Sequence, residues 1–153
     1  MVFGDLPCFG AQVREAWDAD GDGSTESRVN LNAFAARLTA AGIDFSGYAI
    51  WTLRDCLEDT AVPGGLHAVL PWLRHCGPEL ARLARLGSCS VPDRGPGRLG
   101  PLARAGGVRG GGFCPQRWAF WRGRLAELAA GPDAVAHQAR TALELMPAVE
   151  GVA

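Results

Sequence analysis

The chain has 153 residues, of which 48% are apolar and 20% are charged, a composition typical of one folded domain with its own core. Its formal net charge of −1 provides no global attraction to nucleic acid or to an anionic membrane. All fifteen basic residues are arginine, which excludes chemistry that needs a lysine, such as Schiff-base formation or a phosphate-loop lysine.

Six helical segments are predicted from apolar side chains that recur at helical spacing, and strand patterns are nearly absent. The first covers about residues 7–17. In the second, we expect Asn30 to be the N-cap and Gly42 to end the helix. Its predicted apolar face consists of Leu31, Phe34, Ala35 and Leu38. The third covers about 46–59 and is started by Asp44 or Ser46. Its predicted inward face consists of Ala49, Ile50, Leu53, Cys56 and Leu57.

The fourth segment, 66–86, contains Pro71 and Pro78 and is therefore expected to be kinked or split. Residues 87–112 are rich in Gly, Pro and Arg and are predicted to form a long irregular loop. The fifth helix is expected over 115–130, with Pro115 as its first residue, and the sixth over 133–146. The prediction is a single all-α domain over 1–153, an irregular bundle of about six helices.

Five tryptophans and five cysteines are numerous for this length. Each tryptophan lies on or near an apolar helical face, so we expect core packing for Trp17, Trp51, Trp72, Trp118 and Trp121. The cysteines are scattered, without a CxxC pair, and no secretory signal or apolar stretch of roughly 20 residues is found. These features predict reduced thiols, no membrane association, and a cytoplasmic or nuclear location.

The acidic stretch at 18–26 resembles the start of a calcium loop. Asp18, Asp20 and Asp22 alternate as calcium ligands do, and Gly23 follows where such loops turn sharply. The twelfth position, which needs a bidentate glutamate, is Val29, and no second loop is available for pairing. We therefore assign no metal site and leave open weak calcium binding, with Glu26 as a further ligand.

Other motifs are weaker. The pattern G-x-G-x-x-G at 95–100 lacks the preceding strand and following helix of a dinucleotide site. Arg104 and Arg109 lie among glycines without interleaved aromatic residues, so no nucleic-acid partner is expected. A Cys–His pair or a zinc site could be built from one set of residues, but its spacing follows no ligand pattern. The set is His67, His75, Cys76 and Cys89.

Three blocks are distinctive: LPCFGAQVREAWD at 6–18, VNLNAFAARLTAAGIDFSGYAIWTLRDCLED at 29–59, and GGFCPQRWAFWRGRLAELA at 111–129. Together they resemble a fungal family, the domain of unknown function 3632. The resemblance implies an all-helical domain from a filamentous fungus and brings no known activity, cofactor or catalytic residue. It also implies that the chain corresponds to the C-terminal part of a longer helical domain, which would leave an apolar groove exposed.

The leading hypothesis is a non-catalytic helical interaction or scaffold domain that binds a protein partner through an apolar groove. No catalytic, cofactor-binding or metal residue is assigned. One alternative is a calcium-responsive module built on 18–26. The other is an enzyme of unrecognised chemistry, for which the first residues to inspect are Asp55, Glu58, Asp59 and His67.

Overall fold

The computed structural model describes residues 9–19, 24–60 and 66–149. In these ranges the chain forms seven α-helices and no strand, which confirms the predicted all-α class. The helices are α1 Phe9–Ala19, α2 Thr25–Ala40, α3 Ser46–Leu57, α4 Val69–Leu86, α5 Pro101–Ala105, α6 Pro115–Ala129 and α7 Ala134–Leu145. None of the described helices is long and apolar enough to cross a lipid bilayer.

Helix α4 is central, because it packs against α2, α3, α6 and α7. It contributes Trp72, Leu73 and Leu80 to the core, where they are almost completely buried. The helix continues without interruption through Pro78, so the expected split did not occur. Pro71 lies in the first helical turn, where no backbone N–H is required by the helix.

Helix α2 begins earlier than predicted. The hydroxyl of Ser24 caps it by accepting a hydrogen bond from the Ser27 N–H at 3.2 Å, so the assignment of Asn30 as the cap was wrong. The predicted apolar face is also shifted, since Phe34 is 43% exposed. The residues that are buried are Asn32, Ala35, Ala36 and Thr39. Small side chains on this face allow α2 to approach α4 closely.

Three further helix starts agree with the sequence. The carboxylate of Asp44 accepts from the Ser46 N–H at 2.9 Å at the start of α3. Pro115 is the first residue of α6, preceded by Cys114 in extended conformation. Asp133 caps α7 by accepting from the Ala136 N–H at 2.9 Å. The predicted inward residues of α3 are all buried.

Residues 87–112 are more ordered than an irregular loop. They contain a 3-10 turn at Gly95–Gly97 and the short helix α5. Leu99, Ala103 and Val108 form a small second core, against which Phe120 of α6 packs. The prediction of an irregular loop missed the short helix α5, because this segment is held by a few apolar side chains and by backbone contacts rather than by a periodic apolar stripe.

Candidate functional site

A fully buried ion pair joins the end of α3 to α6. Glu58 and Arg117 both have 0% side-chain exposure. The Arg117 Nε donates to Glu58 Oε1 at 2.6 Å, and Nη2 donates to Oε2 at 3.2 Å. The same carboxylate accepts from the Trp121 indole N–H at 2.7 Å and from the Gly100 backbone N–H at 2.5 Å. Every oxygen of the carboxylate therefore has two donors.

The guanidinium of Arg117 also binds the 87–112 segment. Its Nη1 donates to the carbonyl oxygens of Gly97 at 2.7 Å and Gly112 at 3.1 Å. Its Nη2 donates to the carbonyl of Arg98 at 3.0 Å. Because both charges are saturated with protein partners, this cluster holds the segment in place and has no free group to offer a substrate.

A second buried polar cluster is built around Asn32 of α2. The Asn32 side-chain oxygen accepts from Thr52 Oγ1 at 2.8 Å and from the Trp72 indole N–H at 2.7 Å. Its amide nitrogen donates to the Arg28 carbonyl at 2.8 Å. Asn32 is 1% exposed, so these bonds explain why a polar residue occupies an inward position. The cluster connects α2, α3 and α4.

A cavity of about 190 Å³ opens beside Asn32, between α1, α2, α3 and the start of α4. Its uncharged lining includes Trp17, Leu31, Asn32, Trp51, Thr52 and Ala68. An apolar cavity of roughly 150 Å³ can hold a benzene ring. The space is therefore sufficient for one aromatic or branched apolar side chain.

The two tryptophans at this cavity belong to a row of aromatic rings. The ring centres of Trp17 and Tyr48 are 4.5 Å apart, and those of Tyr48 and Trp51 are 5.0 Å apart. Trp51 is fixed further by its indole N–H, which donates to the Pro96 carbonyl at 2.9 Å. Trp17 and Trp51 are only partly buried, whereas the other three tryptophans are enclosed. Since Trp17 also packs against the core, the expectation of core packing is confirmed for four of the five.

Three ionisable residues adjoin the cavity: Arg28, Asp55 and Cys56. Burial, with a smaller contribution from the charge of Asp55, raises the pKa of the Cys56 thiol to about 12. A thiol with this pKa stays protonated near neutral pH and is a poor nucleophile.

The acidic residues considered for calcium binding and for catalysis differ in how far the structure brings them together. Asp20 and Asp22 lie outside the described residues, and Asp18 faces Arg14 on α1 at 4.0 Å. Asp55, Glu58 and Asp59 line one shallow depression next to α5. Within the described ranges no group of three potential metal ligands comes together.

The histidines and cysteines are likewise separated. His67 contacts the Gln138 amide of α7 at 2.9 Å rather than the acidic residues. Cys76 is buried in the core, and burial raises its pKa to about 11. The pKa of His75 is lowered by burial and by Arg37 and Arg74. Burial, with a smaller contribution from the neighbouring Cys89 thiol, raises the pKa of Cys114 to about 11.

Comparison with known proteins gives one result. The family model described as "Protein of unknown function (DUF3632)" matches residues 1–125. That range includes α1 to α5, most of α6, both polar clusters and the whole cavity lining. No curated protein and no solved structure matches the chain.

Proposed function

Since this chain belongs to the DUF3632 family, and since its matched region contains an aromatic-lined cavity, we propose that it is a non-catalytic interaction domain. The partner is a protein segment that inserts one apolar side chain between Trp17, Leu31 and Trp51 and carries basic residues around that anchor. The observation that supports this proposal is the cavity with two partly exposed indoles at its wall.

The anchor is expected to be apolar because of the lining. Trp and Tyr at a binding surface provide large rigid contact areas at little cost in conformational entropy. The polar groups at the cavity floor are already engaged, since Asn32 binds both Thr52 and Trp72. A partner therefore gains affinity by filling the space, and it gains little by offering hydrogen bonds to the floor.

The expectation of basic flanking residues rests on charge. Residues 1–60, which include α1, α2 and α3, carry ten acidic residues and four arginines. Glu58 is neutralised by Arg117, which leaves nine acidic residues against four arginines in this part of the chain. A basic segment would be attracted to it at long range, and the attraction would weaken as salt screens the charges.

The protonated state of Cys56 supports a binding role over a catalytic one. The thiol adjoins the cavity, and its raised pKa removes the most reactive nucleophile available there. The remaining ionisable groups, Arg28 and Asp55, have opposite charges and suit recognition of a charged partner.

The test uses three synthetic amphipathic peptides of equal length. The first has a central phenylalanine and arginine at its polar positions, the second replaces arginine with glutamate, and the third replaces phenylalanine with alanine. We expect the first peptide to bind the full chain at least about tenfold more tightly than either of the others, equivalent to roughly 1.4 kcal/mol. Fluorescence anisotropy of labelled peptides measures this difference.

Leu31→Glu provides the matched protein variant, because Leu31 lines the cavity. It should weaken binding of the first peptide about tenfold or more, whereas Leu86→Glu, at a residue 68% exposed on the far end of α4, should not. Unchanged circular dichroism would show that both variants fold. Equal binding of all three peptides, or equal binding by both variants, contradicts the proposal.

A further inference from the structure

Trp51 differs from the other tryptophans in what holds its ring in place. The other four are buried in the main core or pack against it, whereas Trp51 is partly buried and lies outside that core. Its ring meets the Tyr48 ring edge-on, with the ring centres 5.0 Å apart. One edge contact does not fix the rotation of an indole about its side-chain bonds, so a further contact is needed to orient it.

That contact is a hydrogen bond to the 3-10 turn at Gly95–Gly97. The Trp51 indole N–H donates to the Pro96 carbonyl at 2.9 Å. The Arg54 Nη1 donates to the same oxygen at 3.2 Å, and its Nε donates to the Asp55 carboxylate at 3.2 Å. A carbonyl oxygen has two lone pairs, so this single oxygen joins two side chains of α3 to the turn.

The Pro96 carbonyl is held in place by the backbone that follows it. The next carbonyl, that of Gly97, accepts from the Arg117 Nη1 at 2.7 Å and from the Gly112 N–H at 2.9 Å. The proline ring restricts the φ angle of Pro96 itself. The turn therefore presents the Pro96 oxygen at a fixed place beside α3.

We propose that Arg54 and the turn at Gly95–Gly97 are positioning elements of the tryptophan-lined cavity. Through the Pro96 carbonyl they orient the Trp51 indole, which is the surface that a partner side chain would contact. The inference rests on the proposed binding function and adds the residues that shape its site. Trp51 lines the cavity, whereas Arg54 and Pro96 do not, so their effect on the fit of an inserted side chain is transmitted by Trp51.

The charge of Arg54 and its contact with Pro96 predict opposite results for a basic partner. The Arg54 side chain is 15% exposed, so its charge acts on a nearby peptide. Removing that charge alone would favour a peptide rich in arginine, because repulsion between like charges is lost. Removing the hydrogen bond would leave the indole less well ordered and weaken insertion of an apolar side chain. The direction of the change in affinity therefore separates the two roles.

The test is Arg54→Met in the full chain, with the peptide that carries a central phenylalanine and arginine at its polar positions. We expect binding about threefold to tenfold weaker than in wild type, the range that corresponds to one hydrogen bond. Arg54→Lys, which keeps the charge and a donor, should recover most of the affinity. Arg82→Met removes the same charge from an ion pair on α4 and should not weaken binding.

A second measurement follows the indole itself. The chain has five tryptophans, whose indole N–H signals are resolved by proton–nitrogen NMR, and Trp51→Phe identifies the Trp51 signal by its absence. In Arg54→Met this signal should shift and exchange faster with solvent. The signals of the enclosed Trp72, Trp118 and Trp121 should stay in place, whereas a general loss of stability would change all of them.

Gly97→Ala perturbs the turn without changing α3. A Cβ atom at this position would lie 3.0 Å from the Gly112 nitrogen, so the turn has to shift. Gly47→Ala, at a residue of α3 with nothing within 4 Å of an added Cβ, is the matched control. We expect Gly97→Ala to weaken peptide binding and to move the Trp51 signal, and Gly47→Ala to do neither.

Unchanged or tighter binding by Arg54→Met would overturn the proposal, as would weaker binding with an unchanged Trp51 signal. An unchanged Trp51 signal in Gly97→Ala would contradict it as well. Failure of the binding function itself has a different signature: the wild-type chain does not bind the peptide, or Leu31→Glu binds it as well as wild type does. The NMR signal then still shows whether the turn orients the indole.

Discussion

The Glu58–Arg117 cluster and the tryptophan-lined cavity both include residues of helix α3 or its C-terminal end. In the cluster, two charges and an indole are fully buried, and their hydrogen bonds are directed at each other and at three backbone carbonyls. At the cavity, Trp17, Leu31 and Trp51 lie around a space of about 190 Å³, next to polar side chains such as Asn32 and Thr52. The cluster has its hydrogen-bonding groups paired within the protein, whereas the cavity has room for a further side chain.

This difference shows that buried charged residues and partly exposed aromatic residues have different roles in the molecule. Charged side chains attract attention as candidates for catalysis, yet the most buried charges in the described part of this chain have all their bonding capacity used within the protein. The capacity to bind a partner lies where side chains are large, partly exposed and incompletely covered. Stability and binding are therefore expected to respond to different substitutions.

The largest expected effect is that of Arg117→Met. This change leaves the Glu58 carboxylate buried without its counterion and leaves three loop carbonyls without donors, which should lower the free energy of unfolding by about 3–5 kcal/mol. Urea unfolding followed by circular dichroism measures the change. Arg124→Met, which breaks a partly exposed pair with Glu127, should cost no more than about 1 kcal/mol.

A double variant, Glu58→Leu with Arg117→Met, tests whether the cluster is more than one ion pair. Apolar replacement of an isolated buried pair is often neutral. Here the Trp121 and Gly100 N–H groups would still lose their acceptor, so we expect the double variant to stay well below wild-type stability. Full recovery of wild-type stability in the double variant would show that the cluster contributes no more than an isolated ion pair.

The next largest effect is expected from adding a side chain at Gly100, where there is no space for one. A Cβ atom at this position would lie 2.6 Å from the Glu58 Cβ and 2.9 Å from its carbonyl oxygen. Gly100→Ala should therefore lower the free energy of unfolding by about 1–3 kcal/mol. Gly123→Ala is the control in α6, where nothing lies within 4 Å, and it should increase stability by about 1 kcal/mol through helix propensity. Thermal unfolding should show a lower melting temperature for Gly100→Ala and a higher one for Gly123→Ala.

The smallest effect is expected at the cavity. Ala68→Val places two methyl groups at the cavity wall and should increase the free energy of unfolding by about 0.5 kcal/mol, since cavity filling stabilises. It should also weaken binding of the peptide with a central phenylalanine, because the valine side chain would occupy the space that the phenylalanine ring needs. Ala126→Val, on the exposed side of α6, should do neither. A loss of stability in Ala68→Val would show that the cavity cannot accept the added volume.

Where apolar side chains recur regularly, the sequence predicted the fold well. The inward face of α3 follows from its apolar stripe, and the starts of α6 and α7 follow from Pro115 and Asp133. The start of α2 was missed because its first turns are polar, and several residues there are plausible caps. Only the fold determines that Ser24 fulfils this role.

The two polar clusters could not be located from the sequence. Asn32 and Arg117 look like surface residues of amphipathic helices, and their side-chain partners lie 20 to 59 residues away along the chain. The 87–112 segment was misjudged for a related reason: much of its packing is between backbones, which leaves no periodic apolar pattern. Its many glycines are the visible sign of that packing, but they also occur in disordered chains. The cavity could not be predicted either, because it depends on how α1, α2, α3 and the start of α4 pack together.

The separation of Glu58 and Arg117 along the chain has a consequence for biosynthesis. A ribosome releases α3 and its carboxylate well before it has translated the arginine 59 positions later. Until then the nascent N-terminal helices carry an acidic group whose final place is in the interior, and water remains its best environment. The last steps of assembly therefore wait for α6, and a chain that is truncated before this helix should be retained by chaperones as an incomplete domain.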